Sequence, residues 1–293
     1  QGSNLVWRDR QGNDLGILSE DALHLDVQLS PDQTMAVTSI GDSGGGYDLW
    51  LVDLERGIRS RFTFNPASDW SPIWSRDGQR IAFTSIRGGT QDLWIKEVDG
   101  NTGAELLLES ENNIEPVDWG LDDEFVLYNS VNTEGNTDLY LVSTNGDDEP
   151  QPVLATSFSE RHGQISPDGR WMVYNSNESG RWEIYVTSFP KPGRKWQVSD
   201  NGGYFPRWGP TGNEIFFVLA DEMLMVASVD SSGPTLQIGK ITPLFPTFRS
   251  VDPSIDYAIT ADSQRFLVNA VAPRSGFDLL TLVLHWDTEL AQP

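Results

Sequence analysis

Short apolar stretches separated by polar turns run along the whole chain, and one such pattern recurs at a regular spacing. An apolar strand ends in Ser-Pro-Asp-Gly or a variant of it, and a second short apolar strand follows at once. Pro fixes φ, and Asp and Gly accept turn geometry, so each copy is predicted to form a β-hairpin. The copies are 43 to 51 residues apart, counted between the turn positions Asp32, Asp77, Asp122, Asp168, Thr211 and Asp262. That spacing is typical of a four-stranded propeller blade.

A second apolar signature follows each hairpin and supplies a third strand. It reads Asp-Leu-Trp-Leu-Val at residues 48–52, and variants of it return at 92–95, 138–142, 183–186, 223–226 and 278–280. The β-branched and aromatic residues of these segments favour strands. No amphipathic helical period extends over a dozen residues. The sequence therefore predicts an all-β fold.

A single blade cannot bury both of its faces, so the repeats are expected to stack around a common axis. We predict one domain over residues 1–293, a six-bladed β-propeller of four-stranded antiparallel blades whose ring is closed by the N-terminal strand. Residues 277–284 are predicted to be the third strand of the last blade. A strand at 15–18 is surplus to this count, so seven blades remain the alternative. The predicted blades cover residues 23–63, 70–108, 115–154, 161–198, 204–246 and 255–284, with the N-terminal strand at 4–18.

Charge and composition exclude several classes of function. The net charge of −23 repels nucleic acids and anionic lipid surfaces, so no nucleic-acid partner is expected. The chain has no Cys, and no apolar run is long enough to insert this segment into a membrane. The acidity fits a salt-adapted organism and an ordinary acidic secreted or periplasmic protein equally well.

The repeat resembles the WD40-like (PD40) repeat of TolB-type β-propellers. The best copy combines Ser-Pro-Asp-Gly-Arg-Trp-Met-Val-Tyr at residues 166–174 with Glu-Ile-Tyr at 183–185, and the resemblance extends from Leu5 to Trp286. It implies a bacterial, periplasmic propeller that binds proteins or acts as a sensor domain. The fold is the firmer implication, because one fold hosts many functions.

Some stretches are also similar to the extracytoplasmic propeller domains fused to bacterial serine/threonine protein kinases. This similarity implies an extracytoplasmic (periplasmic or cell-surface) module of a larger receptor, with a kinase or peptidase domain elsewhere in the full-length protein. The kinase motifs themselves are absent from this sequence. The stretches lie at residues 5–12, 61–65, 176–180 and 195–199.

Motifs that would indicate catalysis or a cofactor are missing. His24, His162 and His285 lack the spacing of a zinc site and are not accompanied by a Gly-x-Ser-x-Gly elbow, so they are interpreted as loop residues at blade junctions. The acidic run at residues 118–124 lacks the spacing of an EF-hand. We therefore predict no catalytic residue, no metal ligand and no cofactor, with Ca²⁺ as the alternative.

The candidate binding residues come from blade geometry. The loops that enter the first strand of each blade (D–A loops) and those between its second and third strands (B–C loops) emerge at one end of a propeller. Aromatic, Arg and carboxylate side chains there would suit a funnel that binds a protein or peptide. Packing at blade junctions is the structural alternative for the aromatic residues. The predicted ligand-binding residues are Asp69, Trp70, Arg87, Glu115, Arg161, His162, Arg181, Tyr204 and Phe205.

Two functions remain open at this point. The first is a non-catalytic ligand- or protein-binding or sensing propeller, with a protein or peptide as the expected partner. The alternative is a propeller hydrolase or lyase that acts on glycans or peptides through axial carboxylates, with or without Ca²⁺. Only the large number of acidic residues and the frequency of propeller enzymes favour the alternative.

Overall fold

Antiparallel strands account for all the regular secondary structure in the computed structural model, which describes residues 2–100, 102–145, 148–233, 235–247 and 257–271. Over those ranges the chain has no helix, and so none that could cross a membrane. The predicted all-β class is confirmed.

Four separate sheets of four strands each follow one another along the chain, and each pairs its strands in sequence order. They have the size and order predicted for blades, so the predicted architecture of four-stranded antiparallel propeller blades is confirmed. Their strands are β6 (Asp69–Trp74), β7 (Arg80–Ser85), β8 (Asp92–Glu97) and β9 (Glu105–Leu108); β10 (Ile114–Trp119), β11 (Phe125–Val131), β12 (Thr137–Ser143) and β13 (Gln151–Leu154); β14 (Glu160–Ile165), β15 (Trp171–Ser176), β16 (Glu183–Ser188) and β17 (Lys195–Gln197); and β18 (Tyr204–Trp208), β19 (Glu214–Val218), β20 (Met223–Asp230) and β21 (Gln237–Pro246).

The remaining strands form one seven-stranded sheet that joins the two ends of the described chain. Its order is β22-β23-β1-β2-β3-β4-β5. Its strands are β1 (Ser3–Asp9), β2 (Asp14–Leu29), β3 (Met35–Gly41), β4 (Tyr47–Asp53), β5 (Arg59–Arg61), β22 (Tyr257–Ile259) and β23 (Arg265–Val271).

The long strand β2 belongs to two four-stranded units. Its first part, residues 14–22, pairs with β1, and its second part, residues 23–29, pairs with β3. The surplus strand expected at 15–18 is thus the outer strand of the unit β22-β23-β1-β2. The number of blades in the whole chain stays a prediction, because residues 272–293 lie outside the described ranges.

Pairing between β1 and β23 closes the ring. The two strands are antiparallel and in continuous register from Ser3 opposite Val271 to Asp9 opposite Arg265. The place beside β23, assigned from the sequence to residues 277–284, is therefore occupied by β1. The sequence interpretation missed this because residues 5–8 and 277–284 are both short apolar stretches that suit the same position.

The repeated Ser-Pro-Asp turns are held by one arrangement of hydrogen bonds. The Ser30 hydroxyl donates to Asp32 at 2.6 Å and accepts from the Met35 N–H at 3.0 Å. Thr260 repeats both contacts with Asp262 and Arg265. The hydroxyl contacts lower the pKa of Asp32 and Asp262 below the usual value. Ser75 and Ser166 make the same contact with Asp77 and Asp168, whereas the turns at Asp122 and Thr211 have Gly at this position, so the hydroxyl holds four of the six turns.

Six apolar clusters fill the spaces between neighbouring units, and each draws residues from both. Trp171 and Trp208, for example, lie in one cluster but belong to successive sheets. The cluster at the closure contains Leu5 from β1 and Leu267 from β23 together with Val27 from β2. Burial of apolar surface between sheets therefore stabilises the ring as a whole.

Leu5→Ala should lower the free energy of unfolding by about 2–5 kcal/mol, because it leaves a cavity in the cluster that seals the ring. Leu5 is fully buried, whereas Leu15 on β2 is 52% exposed. Leu15→Ala is therefore the control, with an expected loss of less than about 1 kcal/mol. Urea unfolding of both variants measures the difference, and equal losses would contradict a sealed β1–β23 closure.

Candidate functional site

The first strand of a blade, strand A, carries a bulge beside the central channel in five of the blades. The register between strands A and B shifts in the middle of five of these strands, β2, β6, β10, β14 and β18. Three bulge residues, Ser71, His162 and Phe205, have positive φ values of 51°, 53° and 52°. Such values are uncommon for residues with a side chain, so the surrounding contacts must hold them.

Polar side chains on strand B satisfy the backbone near the bulges of the neighbouring blade. The Thr84 hydroxyl donates to the Ile114 carbonyl at 3.2 Å, and the His162 N–H donates to Asn129 at 3.2 Å. Across the closure, Asn269 donates to the carbonyl of His24 at 2.9 Å. Buried backbone groups need such partners, so the recurring Thr or Asn of strand B is part of the architecture.

The bulge separates two sets of channel-lining residues. In five blades, the sixth position before the turn lines a cavity at the end formed by the D–A and B–C loops. We call these residues the funnel ring: Asp26, Ser71, Pro116, His162 and Phe205. The fourth position lines a second cavity at the end formed by the hairpin turns; we call these residues the turn ring: Gln28, Ile73, Asp118, Gln164, Arg207 and Ala258.

The funnel cavity has a volume of about 390 Å³ and mainly apolar walls. Trp70, Ile86 and Phe205 contribute to these walls, and Asp26 and Glu115 are its acidic lining residues. A neighbouring cavity of about 370 Å³ shares Glu115, His162 and Phe205 with it. The two cavities thus adjoin, and each is large enough to hold a side chain of a ligand beside Glu115 and His162.

His162 stands between the two cavities in a fixed orientation. Its Nδ1 lies 2.9 Å from Asn175 Oδ1, and its ring centroid lies 4.6 Å from that of Phe205. Burial lowers the pKa of His162, and this effect is larger than the opposite effect of the nearby Glu115, whose negative charge raises the pKa. The imidazole is therefore neutral at neutral pH and donates its Nδ1–H to Asn175.

The charged residues of the cavities are held by polar neighbours. The Ser71 hydroxyl donates to Glu115 Oε1, and Asn129 donates to Oε2 at 3.4 Å. Arg161 lines the neighbouring cavity, donates to the Thr137 hydroxyl at 2.9 Å and stacks over Trp182 at 5.1 Å. Burial lowers the pKa of the Arg161 guanidinium. A carboxylate and a guanidinium thus face one continuous space.

The structure gathers six of the nine predicted binding residues around these two cavities and places three elsewhere. Asp69 is fully buried and pairs with Arg87 at 3.0 Å. The Arg87 guanidinium stacks on Trp94, while Arg181 pairs with Glu183 at 2.5 Å. A ligand-binding role for any of the nine stays a prediction. The six around the cavities are Trp70, Glu115, Arg161, His162, Tyr204 and Phe205.

Some lining residues were missed in the sequence, although the repeat could have shown them. Asp26 occupies the same repeat position as His162, and Asn129 the same position as Asn175. Aligning the blades on their turns therefore identifies both pairs. Trp182 has no such signal, since it lies in a B–C loop of variable length.

The histidines and acids do not form a metal site in the described part of the chain. His24 and His162 lie in strands β2 and β14, which corrects their interpretation as loop residues; His285 lies outside the described ranges. Within those ranges, no three His, Asp or Glu side chains are grouped so as to hold a metal ion. The absence of a cofactor, with Ca²⁺ as the alternative, stays a prediction.

His162→Gln should flatten the dependence of stability on pH between about pH 7 and pH 5. The pKa of His162 is lowered in the folded protein and that of His24 is lowered to about 4. As the pH falls below about 6.5, the unfolded chain gains protons that the folded protein does not, and the free energy of unfolding decreases. Each group contributes a slope of up to about 1.4 kcal/mol per pH unit.

Urea unfolding at several pH values measures this slope, with His24→Gln as the companion variant. Each single substitution should remove part of the slope and the double substitution more. A slope that is the same in His162→Gln and the unaltered protein would contradict a neutral His162 in the folded protein.

Comparison with known proteins gives partial sequence matches. No protein-family model matches the chain. The Tol-Pal system protein TolB of Desulfosudis oleivorans is 32% identical over 115 residues, which is 39% of this chain and 25% of that protein. TolB of Wolinella succinogenes is 26% identical over 167 residues, 52% of this chain and 38% of the relative. The chain thus spans well under half the length of these curated relatives.

Solved structures match over most of the chain. A protein of Agrobacterium tumefaciens assigned as TolB has a TM-score of 0.70 at 17% identity, covering 93% of this chain and 99% of its own. TolB of Acinetobacter baumannii has a TM-score of 0.61 at 14% identity, covering 82% and 65%. An oligogalacturonate lyase in complex with manganese has a TM-score of 0.56 at 12% identity, covering 94% and 98%.

The structural matches show the fold alone, and the sequence matches point to the same kind of propeller. The predicted similarity to kinase-fused propellers stays a prediction. Together with the closed ring of four-stranded sheets, the similarities support a β-propeller of the TolB type.

Proposed function

We propose that this chain is a non-catalytic, extracytoplasmic module that binds a protein or peptide segment at the funnel cavity and its neighbour. The observation that carries the proposal is the pair of adjoining cavities, which share Glu115, His162 and Phe205. Apolar space beside fixed charged groups suits the side chains of an extended segment, because buried aromatic anchors supply most of the affinity in protein interfaces.

Exposed apolar side chains extend this surface beyond the cavities. Phe64 and Phe158, in D–A loops, are 69% and 42% exposed, and Ile86, in a B–C loop, is 40% exposed. Large apolar side chains that remain in water are available for contacts with a partner. The funnel end therefore offers apolar contacts in addition to those of the funnel cavity.

The charge of the chain favours a partner with basic groups. A net charge of −23 accelerates encounters with cationic surfaces and repels acidic ones. Glu115, which both cavities share, can then pair with a basic side chain that enters them. The association rate should accordingly fall as the salt concentration rises.

The relatives support a protein partner in preference to a substrate. They are proteins of the Tol-Pal system, and this similarity supports our proposal that the chain acts in such an assembly outside the cytoplasm. A kinase or peptidase domain in the full-length protein stays a prediction. Nucleic acid remains an unfavourable partner because of the charge.

A hydrolase or lyase is the weaker alternative. The oligogalacturonate lyase shares only the fold with this chain. A serine hydrolase would need a histidine bonded to its nucleophile. At the funnel, the Ser71 hydroxyl donates instead to Glu115, and His162 Nδ1 is bonded to Asn175. Ser71 and His162 therefore do not form the nucleophile–base pair of a serine hydrolase, whereas a binding site does not need that pair.

Trp70→Ala and Tyr204→Ala should each weaken binding of a Tol-Pal partner by about 5- to 30-fold, because each removes an aromatic anchor worth about 1–2 kcal/mol. Isothermal titration calorimetry with purified Pal of Desulfosudis oleivorans measures the effect. Leu121→Ala is the control, since Leu121 is 42% exposed but lies in a hairpin turn at the other end of the channel.

Unchanged affinity in both aromatic variants would contradict the assignment of the site to the funnel. No binding of Pal at all would contradict a Tol-Pal partner. Turnover of glycans or peptides by the unaltered protein, lost in Glu115→Gln, would favour the hydrolase or lyase.

A further inference from the structure

The turn ring lies at the opposite end of the channel from the funnel. Its six members line a cavity of about 310 Å³ that opens between the hairpin turns. Pro31, Pro167 and Pro210 of those turns also line it. This volume is within the range of small-molecule sites. The feature does not depend on the function proposed for the funnel.

Most polar groups of the turn ring already have partners. Asp118 accepts two contacts from Arg76 Nη2, at 2.8 and 3.0 Å, and one from the Ile165 N–H at 2.7 Å. Gln164 Oε1 accepts from the Trp208 N–H at 2.5 Å. Arg76 is therefore neutralised by Asp118, and the oxygens of Asp118 and Gln164 are engaged in the frame of the ring.

Arg207 differs from the other members. Its Nε and Nη2 are buried and have no hydrogen-bond partner among the residues that the structure describes. Asp118 and Asp26 attract the guanidinium, yet neither accepts a hydrogen bond from it in the described contacts. A buried donor without an acceptor costs free energy, and the cost is larger for a charged group.

The asymmetry of the ring also sets Arg207 apart. The equivalent positions in the other blades hold Gln28, Ile73, Asp118, Gln164 and Ala258, so a cation occurs at one position of the six. Recurring residues serve the architecture, as the turn Asp and the strand B polar residues do. Arg207 does not recur in the other blades and its buried N–H donors have no acceptor among the described residues, so it has no such structural role on the ring.

We propose that the turn cavity binds a carboxylate, with the Arg207 guanidinium as its hydrogen-bonding partner. The planar guanidinium presents paired N–H donors that match the two oxygens of a carboxylate. One unpaired cation matches one negative charge, and the strongly acidic chain disfavours a more highly charged anion such as phosphate. The carboxylate can belong to a small acid or to the C-terminus of a polypeptide.

Binding of sodium succinate and of a tripeptide acid, acetyl-Gly-Gly-Ala, tests this assignment. Titration calorimetry at constant ionic strength, with sodium chloride as the reference, should show saturable binding of at least one of them to the unaltered protein. Arg207→Gln should weaken that binding about tenfold or more, because it removes the charge and the paired donors. Arg56→Gln, which removes the same charge from an exposed loop position, should not.

The two probes distinguish the sources of the carboxylate. Tighter binding of the tripeptide acid than of its C-terminal amide and of succinate assigns the site to a polypeptide C-terminus, whereas tighter binding of succinate assigns it to small acids. A crystal structure with the bound probe should place its carboxylate within hydrogen-bonding distance of Arg207, which tests the site even if Arg207→Gln fails to fold.

Three results would overturn the proposal: no saturable binding of either probe, equal binding by Arg207→Gln and the unaltered protein, or a carboxylate located away from Arg207. None of them bears on the funnel, whose test uses Pal and the aromatic variants.

Discussion

The antiparallel pairing of β1 with β23 is the contact on which the other features of the molecule depend. Each blade leaves apolar faces that only its neighbours can cover, so an open ring would expose the faces on either side of the gap. The seven paired positions of these strands close that gap, and Leu5 and Leu267 pack behind them. The channel, with its two cavities, exists because the strands at the axis are held in this closed circle.

The bulge in strand A then decides what each end of the channel contains. In the five strands that carry it, the residue at the sixth position before the turn lines the funnel cavity and the residue at the fourth position lines the turn cavity, so that one short strand supplies both a funnel-ring and a turn-ring residue. The funnel ring is aromatic and polar and adjoins exposed apolar loops, whereas the turn ring is mostly polar and enclosed by prolines. Two chemically different sites can therefore share one channel, as in our two proposals for protein and carboxylate binding.

The turns of the fold could be predicted from the sequence, but the pairing between strands that lie far apart in the sequence could not. Four of the six turns pair a hydroxyl with a carboxylate two residues later, and this recurring spacing located the blades. By contrast, nothing local distinguishes residues 5–8 from 277–284 as the neighbour of β23. The candidate site shows the same limit: Trp70 and His162 line the funnel, but Asp69 and Arg87 form an ion pair within their own blade. The end of the propeller at which the predicted residues lie was predictable. The places of most of them in strands β6, β10, β14 and β18, and the direction of each side chain, depend on bulges and ion pairs formed in the assembled ring.

Site-specific photo-crosslinking tests the central claim, that the funnel end is the surface that binds protein. p-Benzoylphenylalanine placed at Ile86, which lines the funnel cavity and is 40% exposed, would be compared with the same group at Leu121 in a hairpin turn, which is 42% exposed. The nearly equal exposure makes the two positions equally accessible to a random encounter. With purified Pal, the account predicts a crosslinked product from position 86 and little or none from position 121. Equal products from both positions, or a product from position 121 alone, would contradict it.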